Sequence, residues 1–354
     1  FSLKLVKNII FVCSLIFSLG CLFLFGPKIL NKLQVKNQTR FESNFINPII
    51  DNSEVLKYSP VKNSNELNYR IDKLIVDNDS IEFAYENIKL ESSKIERNFI
   101  GISYNYKGST DTVFAYFKKS LKKPNDSTGF LVIPGSGINQ SSEIYNYNNI
   151  ENNYQNNIDD ICQLYGDVFI LVKPNEDFLA IHNGEKKIGE ASFVNYLINK
   201  GSSYSGYYFI QSLVLSKYIK ERYNKTIIAG LSQGGYVALL NSLQSHPDKS
   251  IIASGYSILF DGPHQSGPNQ FILPAHNNFF NSEYIKNNIS KSNTNYLFTY
   301  GKHESGIYGQ EANDYITENY FKQLQNITMS FHEGKHIYDS IASVNFIKQK
   351  KKNN

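Results

Sequence analysis

The stretch TIIAGLSQGGYVALLNSLQSH, residues 226 to 246, places an apolar run, a glycine-flanked serine and a helix-forming segment in direct succession. Gly230, Ser232 and Gly234 have the Gly-x-Ser-x-Gly spacing, in which the serine occupies a sharp turn between a strand and a helix. Glycine on either side lets the backbone take this turn without a side-chain clash. The stretch therefore predicts a strand, a turn that presents Ser232 as a nucleophile, and a helix that ends before Pro247.

Apolar runs of strand length alternate with segments of helix length on both sides of this stretch. Continuous apolar strands between helices predict a mostly parallel sheet that is covered on both faces, which is an α/β fold. Shorter β-type runs from about residue 67, such as FIGISYNY and TVFAYF, predict antiparallel strands at one edge. The apolar runs are DVFILVKP (167–174), TIIAG (226–230), IIASGYSILF (251–260), NYLFTYG (295–301) and ITMSF (327–331).

A serine hydroxyl needs a histidine base, and the base needs a carboxylate that orients it. In a fold of this kind the chain order is serine, acid, histidine, with the last two in loops after the later strands. His336 follows ITMSF and is the predicted base. Glu304 follows NYLFTYG and is the predicted acid, with Asp261 after SILF as the alternative acid.

The negatively charged oxygen of a tetrahedral intermediate needs two backbone N–H donors. Gln233, directly after the nucleophile, is the first predicted donor. The second is expected from the glycine-rich turn in LVIPGSGIN (131–139), with Ser136 preferred and Gly137 next. This mechanism requires no metal and no cofactor.

A competing motif, HEGKH at residues 332–336, matches the H-E-x-x-H pattern of zinc metallopeptidases. That reading requires a helix, yet the motif follows a strand-like run and contains Gly334, which weakens a helix. It also requires a third ligand, and no His or Glu follows His336. The motif therefore remains an alternative beside the serine mechanism, with which it shares a histidine.

Several segments together resemble the α/β-hydrolase superfamily, over about residues 100 to 348. They are ISYNYKGSTDTVFAYFKKS (102–120), GFLVIPGSG (129–137), IIAGLSQGGYVALL (227–240), IIASGY (251–256) and GKH (334–336). They are similar to the dienelactone-hydrolase and acetyl-xylan-esterase-like branch. The resemblance implies an eight-stranded sheet, a triad of Ser232, an acid and His336, and cleavage of an ester, less often a peptide, through an acyl-enzyme. Two departures are Pro134, where many members have His, and Glu304, where Asp is commoner.

The N-terminal region differs in character from the rest of the chain. Residues 9–26 carry no charge and are long enough to cross a bilayer core of about 30 Å as a helix. We predict a membrane anchor, or a signal segment, at 1–26, a polar stalk at 27–66, an α/β-hydrolase domain at 67–348 and a basic tail at 349–354. The catalytic domain is expected outside the cytoplasm, although lysines on both flanks leave the orientation open.

Composition narrows the class of protein further. Hydrophobic residues make up 41% and charged residues 19% of the 354 residues, as in a globular protein. The net charge of +4 comes partly from lysines at the ends of the chain, which do not form a nucleic-acid footprint. The prediction is a membrane-anchored serine hydrolase acting on a small ester or acylated substrate. The alternatives are a serine peptidase or amidase on the same triad, the zinc metallopeptidase, and an inactive hydrolase fold that serves as a binding module.

Overall fold

The computed structural model describes residues 84–106, 108–121, 127–137, 139–146, 158–174, 176, 204–256, 282–304 and 321–349. Its strands are β1 Ile88–Glu96, β2 Phe99–Tyr106, β3 Ser109–Lys118, β4 Thr128–Ile133, β5 Asp167–Leu171, β6 Lys225–Leu231, β7 Lys249–Ala253, β8 Asn295–Gly301 and β9 Ile327–His332. Its helices are α1 Ala84–Asn87, α2 Gln140–Tyr145, α3 Ile158–Gln163, α4 Tyr204–Lys220, α5 Gln233–Ser245, α6 Ser282–Lys291 and α7 Ser340–Lys348.

The described strands form one nine-stranded sheet in the order β1-β2-β3-β5-β4-β6-β7-β8-β9. The three N-terminal strands pair antiparallel, and β3 joins β5 antiparallel. The remaining strands, β4 to β9, are all parallel to one another. Their carboxyl ends therefore meet at one edge of the sheet, which is where ligands bind in open α/β sheets.

The central parallel strands are apolar because both of their faces are covered. Every residue of β4, β5 and β7 is buried. Helices α4 and α5 pack against each other and against β4 and β6, while α7 packs against α3 and β8. This confirms the predicted α/β class, with a mostly parallel sheet and an antiparallel edge.

The described residues form a nine-stranded sheet, whereas the resemblance implied eight strands, and one of the nine, β1, was not predicted from the sequence. β1, with the sequence IKLESSKIE, is polar and largely exposed, so it lacks the apolar run that marks the other strands. It is held by backbone pairing with β2, from Ile88 opposite Tyr106 to Glu96 opposite Phe99. Charged side chains on such an edge strand discourage pairing with other chains. The stretch IEFAY (81–85) is another of the β-type runs after residue 67, and the prediction is wrong at its end, because Ala84–Asn87 form a short helix.

Several predictions concern residues outside the described ranges. The membrane segment at 9–26, the stalk at 27–66, the tail from 350 onward and Asp261 all belong to this group. The anchor and the extracytoplasmic location therefore stay predictions. Within the described part of the chain, no helix is both long and apolar enough to cross a bilayer.

Candidate active site

Ser232 occupies a strained turn between β6 and α5. Its backbone dihedral angles are φ 58° and ψ −123°, a region that residues with a side chain rarely adopt. Two backbone hydrogen bonds hold it there. Its N–H donates to the carbonyl of Ala253 at 2.9 Å, and its carbonyl accepts from the N–H of Tyr236 at 3.0 Å. Backbone strain of this kind persists only where the surroundings impose it, and it is concentrated at functional sites.

The flanking glycines are required by close backbone contacts. A Cβ atom on Gly230 would lie 2.0 Å from the carbonyl oxygen of Gly234. A Cβ atom on Gly234 would lie 2.1 Å from the carbonyl oxygen of Ile133 and 2.5 Å from that of Pro134. The first turn of α5 therefore lies directly against the loop after β4. The strand, the turn and the helix predicted from residues 226 to 246 are all present.

We expect Gly234→Ala to lower the free energy of unfolding by about 2–4 kcal/mol, because the new methyl group collides with backbone that cannot move independently. The matched control is Gly108→Ala. Gly108 has a positive φ of 84°, unlike Gly234, and a Cβ atom there would meet nothing within 4 Å. Its cost should be limited to about 1–2 kcal/mol of backbone strain. Urea unfolding of the two variants measures the difference, and equal losses would show that the contacts at Gly234 relax easily.

Glu304 and His336 lie together at the carboxyl edge of the sheet. Glu304 follows β8, His336 follows β9, and the distance from His336 Nδ1 to Glu304 Oε2 is 3.0 Å. The carboxylate is almost inaccessible, with 2% of its side chain exposed, whereas 35% of the imidazole is exposed. A buried carboxylate at Nδ1 fixes the orientation of the ring and favours the tautomer with the proton on Nδ1. The structure thus pairs the predicted base with the preferred acid.

The second oxygen of Glu304 is held by two donors. Oε1 accepts from the N–H of Gly301 at 2.8 Å and from Oγ of Ser254 at 2.5 Å. These bonds leave the carboxylate little freedom to turn away from His336. The longer side chain of glutamate therefore reaches the imidazole in a defined conformation.

Ser254 is the residue of this site that sequence reasoning missed. It follows β7 with a positive φ of 43°, and its N–H donates to the carbonyl of Thr299 at 2.8 Å. Its position as a polar residue directly after a parallel strand was the available signal. It also connects the two halves of the site. The N–H of Ser232 donates to the carbonyl of Ala253, the residue before Ser254. The hydroxyl of Ser254 donates to Glu304.

The loop after β4 lies beside the turn at Ser232. A Cβ atom on Gly234 would collide with the carbonyl of Pro134, which belongs to this loop. Gly137, further along the loop, has a positive φ of 114°. Gln233 is the first residue of α5 and is buried. The three predicted oxyanion positions, Gln233, Ser136 and Gly137, are therefore in neighbouring elements at this edge of the sheet.

The HEGKH motif does not form the helix that a zinc metallopeptidase needs. His332 is the last residue of β9, and its Nδ1 accepts the N–H of Gly334 at 3.1 Å. The helix that follows starts only at Ser340. His336 is engaged by Glu304 instead of sharing a helical face with His332. Among the described residues no group of three or more His, Cys, Asp or Glu side chains is arranged to hold a metal ion.

Comparison with solved structures finds proteins of similar architecture. A carbohydrate esterase family 15 glucuronoyl esterase from Caldicellulosiruptor kristjansonii matches 78% of this chain and 83% of its own, with 10% identity and a TM-score of 0.47. Acetyl xylan esterase 1 from Thermoanaerobacterium sp. matches 78% of this chain and 96% of its own, with 10% identity and a TM-score of 0.43. A cold-adapted esterase from an Arctic intertidal metagenomic library matches 75% of this chain and 100% of its own, with 11% identity and a TM-score of 0.44. No protein-family model and no curated protein sequence matches the chain.

The sheet and the turn at Ser232 define the class of protein. A mostly parallel sheet with a strained serine between a central strand and the next helix is the arrangement of the α/β-hydrolase fold. The strand pairing and the backbone geometry of the turn define this arrangement. It agrees with the resemblance that the sequence motifs indicate.

Proposed function

We propose that the protein is a serine hydrolase that cleaves an ester through an acyl-enzyme formed on Ser232. The observation that carries the proposal is the buried Glu304 carboxylate. It contacts the imidazole of His336 and is joined through Ser254 to the strand beside the strained Ser232. A serine in a strained turn and an imidazole oriented by a buried carboxylate are the parts that nucleophilic acyl transfer needs.

In the proposed first half-reaction, Oγ of Ser232 attacks the ester carbonyl carbon and Nε2 of His336 takes the hydroxyl proton. The carbonyl π electrons move to the oxygen, and the resulting charge is stabilised by the N–H groups of Gln233 and Ser136. When the tetrahedral intermediate collapses, the bond to the alkoxy group breaks and His336 gives its proton to the departing oxygen. Ser232 is left acylated and an alcohol is released.

In the second half-reaction, water repeats the attack on the acyl-enzyme. His336 takes a proton from the water as the C–O bond forms, and it returns that proton to Oγ of Ser232 as the acyl group leaves as a carboxylic acid. Glu304 stabilises the imidazolium in both steps and does not itself take the proton. Atoms balance to one ester and one water consumed for one alcohol and one acid formed.

An ester is proposed as the substrate because the sequence motifs resemble the branch of dienelactone hydrolases and acetyl xylan esterases. An amide would pass through the same intermediates on the same residues. Parallel assays with p-nitrophenyl esters of increasing chain length, acetylated sugars and short peptides separate the two classes. Turnover of peptides in preference to all esters would assign the protein as a serine peptidase instead.

A fluorophosphonate probe tests the nucleophile directly, because it forms a stable bond only with an activated serine. We expect the wild-type protein to be labelled and Ser232→Ala not to be labelled. The matched control is Ser245→Ala at the other end of α5, where the hydroxyl donates to Asn241 at 2.7 Å. This control should be labelled like the wild type. Absence of labelling in the wild type would overturn the proposed function and favour a binding module. Labelling of Ser232→Ala equal to that of the wild type would overturn the assignment of Ser232 as the nucleophile.

A further inference from the structure

Lys173 is a buried cation that forms hydrogen bonds with the loop after β4. It lies two residues beyond the end of β5, and its side chain has no exposed surface. Its Nζ donates to the carbonyl oxygen of Gly135 at 2.8 Å and to that of Gly137 at 2.7 Å. The hydroxyl of Tyr208, on α4, donates to the carbonyl of Pro134 in the same loop at 2.7 Å. Two side chains from outside the loop thus hold three of its carbonyl groups.

A buried lysine is retained only where its charge is compensated. The nearby carboxylate is Glu176, which is also fully buried. It accepts the N–H of Ser141 at 2.8 Å, while Oγ of Ser141 accepts the backbone N–H of Lys173 at 3.0 Å. Burial raises the pKa of Glu176 to about 7, and the bonds from Ser141 and the charge of Lys173 act in the opposite direction. Ser141 therefore connects the buried carboxylate of Glu176 to the backbone of Lys173, the residue that holds the loop.

Because the peptide bond is planar, the hydrogen bond from Lys173 to the carbonyl of Gly135 also sets the direction of the next N–H group, that of Ser136. In a trans peptide the carbonyl oxygen of one residue and the N–H of the next point in opposite directions. The peptide bonds of the described chain include no cis bond. Because the carbonyl of Gly135 is directed at Lys173, the N–H of Ser136 is directed away from Lys173. Ser136 is the donor that the proposed mechanism places beside the N–H of Gln233.

We propose that Lys173 is a positioning residue for the oxyanion site, which holds the Gly135–Ser136 peptide in the orientation that turns its N–H toward the reacting carbonyl. This inference rests on the proposed function, since it assigns a purpose to Lys173 only if Ser232 forms a tetrahedral intermediate. Lys173 does not touch the substrate. It supplies the preorganisation that makes such donors effective, because they need not reorient when charge develops.

The test measures steady-state kinetics on an ester and inhibition by a trifluoromethyl ketone, whose adduct with serine carries the same oxyanion as the intermediate. We expect Lys173→Met to lower kcat by about 10- to 100-fold and to weaken inhibition by a similar factor, with KM changed by less than about threefold. The cause would be a second donor that is no longer aligned. Lys173→Arg retains a cation and donors and should recover part of the lost kcat.

The matched control is Lys249→Met, since Lys249 has the same chemistry at a place away from the site. Its Nζ donates to the carbonyls of Phe346, Ile347 and Gln349 at the end of α7, at 2.6, 2.9 and 2.6 Å. This variant should lose stability but retain kcat and inhibitor affinity. A general loss of rigidity would instead lower kcat and inhibitor affinity equally in Lys173→Met and Lys249→Met, and that result would overturn the assignment of Lys173.

A second variant covers the case in which Lys173→Met leaves Glu176 uncompensated and fails to fold. Combining Lys173→Met with Glu176→Gln removes both buried charges together. The double variant should fold and show the same selective loss of kcat and of inhibitor affinity. The Lys173 proposal would be overturned, and the proposed function left intact, if a folded variant without Lys173 had wild-type kcat and inhibitor affinity while Ser232→Ala abolished both. Failure of Ser232→Ala to abolish activity would overturn both.

Discussion

Replacing Ser232 or His336 by alanine is expected to lower kcat for an ester by about 10⁶-fold, because either change removes the attacking oxygen or the base that activates it. The two residues act on one proton transfer, so their effects should not multiply. The double variant Ser232→Ala/His336→Ala should therefore be no slower than either single variant, within about tenfold. Initial rates with a p-nitrophenyl ester at high enzyme concentration give the residual activity.

Two control variants replace a serine and a histidine that lie outside the candidate site. Ser245→Ala removes a buried hydroxyl from α5, and His303→Ala removes an imidazole whose side chain is 62% exposed and faces Glu333. Both should retain kcat within about twofold. Thermal unfolding of each variant checks that the fold persists. A 10⁶-fold loss in His303→Ala, or near-normal activity in His336→Ala, would assign the base to a different histidine.

Glu304→Gln is expected to lower kcat by about 10⁴-fold while leaving the fold in place. The amide has nearly the shape of the carboxylate, so Oε1 can still accept from Gly301 and Ser254. The NH₂ group would then face Nδ1 of His336 as a donor and would favour the tautomer with the proton on Nε2. An imidazole in that tautomer cannot accept the proton of Ser232, and no negative charge remains to stabilise the imidazolium.

Ser254→Ala is the informative comparison for Glu304. It removes one of the two described donors to Oε1 but leaves the charge and the contact with His336. Its loss in kcat should be about 10- to 100-fold, clearly less than that of Glu304→Gln. Near wild-type kcat in Glu304→Gln would show that another carboxylate orients the imidazole. Asp261, the alternative acid, would then be tested by Asp261→Asn.

Much of the site was predictable because the turn at Ser232 is a local structure. A side chain on Gly230 would collide with Gly234, four residues along the chain, so this requirement is visible in the local sequence, whereas the contacts that exclude a side chain from Gly234 come from Ile133 and Pro134. The positions of Glu304 and His336 were predictable for a related reason. Each follows an apolar strand, and parallel strands bring residues that follow their ends to one edge of the sheet.

Other features of the fold and of the site could not be predicted from the sequence. β1 has no apolar pattern and is defined by its backbone pairing with β2, so its sequence carries little signal. Ser254 and Glu304 are separated by 50 residues, and Lys173 lies 38 residues from Gly135. A hydrogen bond over such distances has no periodicity and no local motif.

The sequence by itself determined the class of fold, the strained turn at Ser232 and the order of the residues that follow it. It did so because apolar periodicity and the Gly-x-Ser-x-Gly spacing are properties of short segments. Only the tertiary structure decided that Glu304 contacts His336, that HEGKH is not a helix, and that a buried Lys173 holds the loop beside Ser232. These features depend on which side chains meet when distant strands align, and that is a property of the packed sheet.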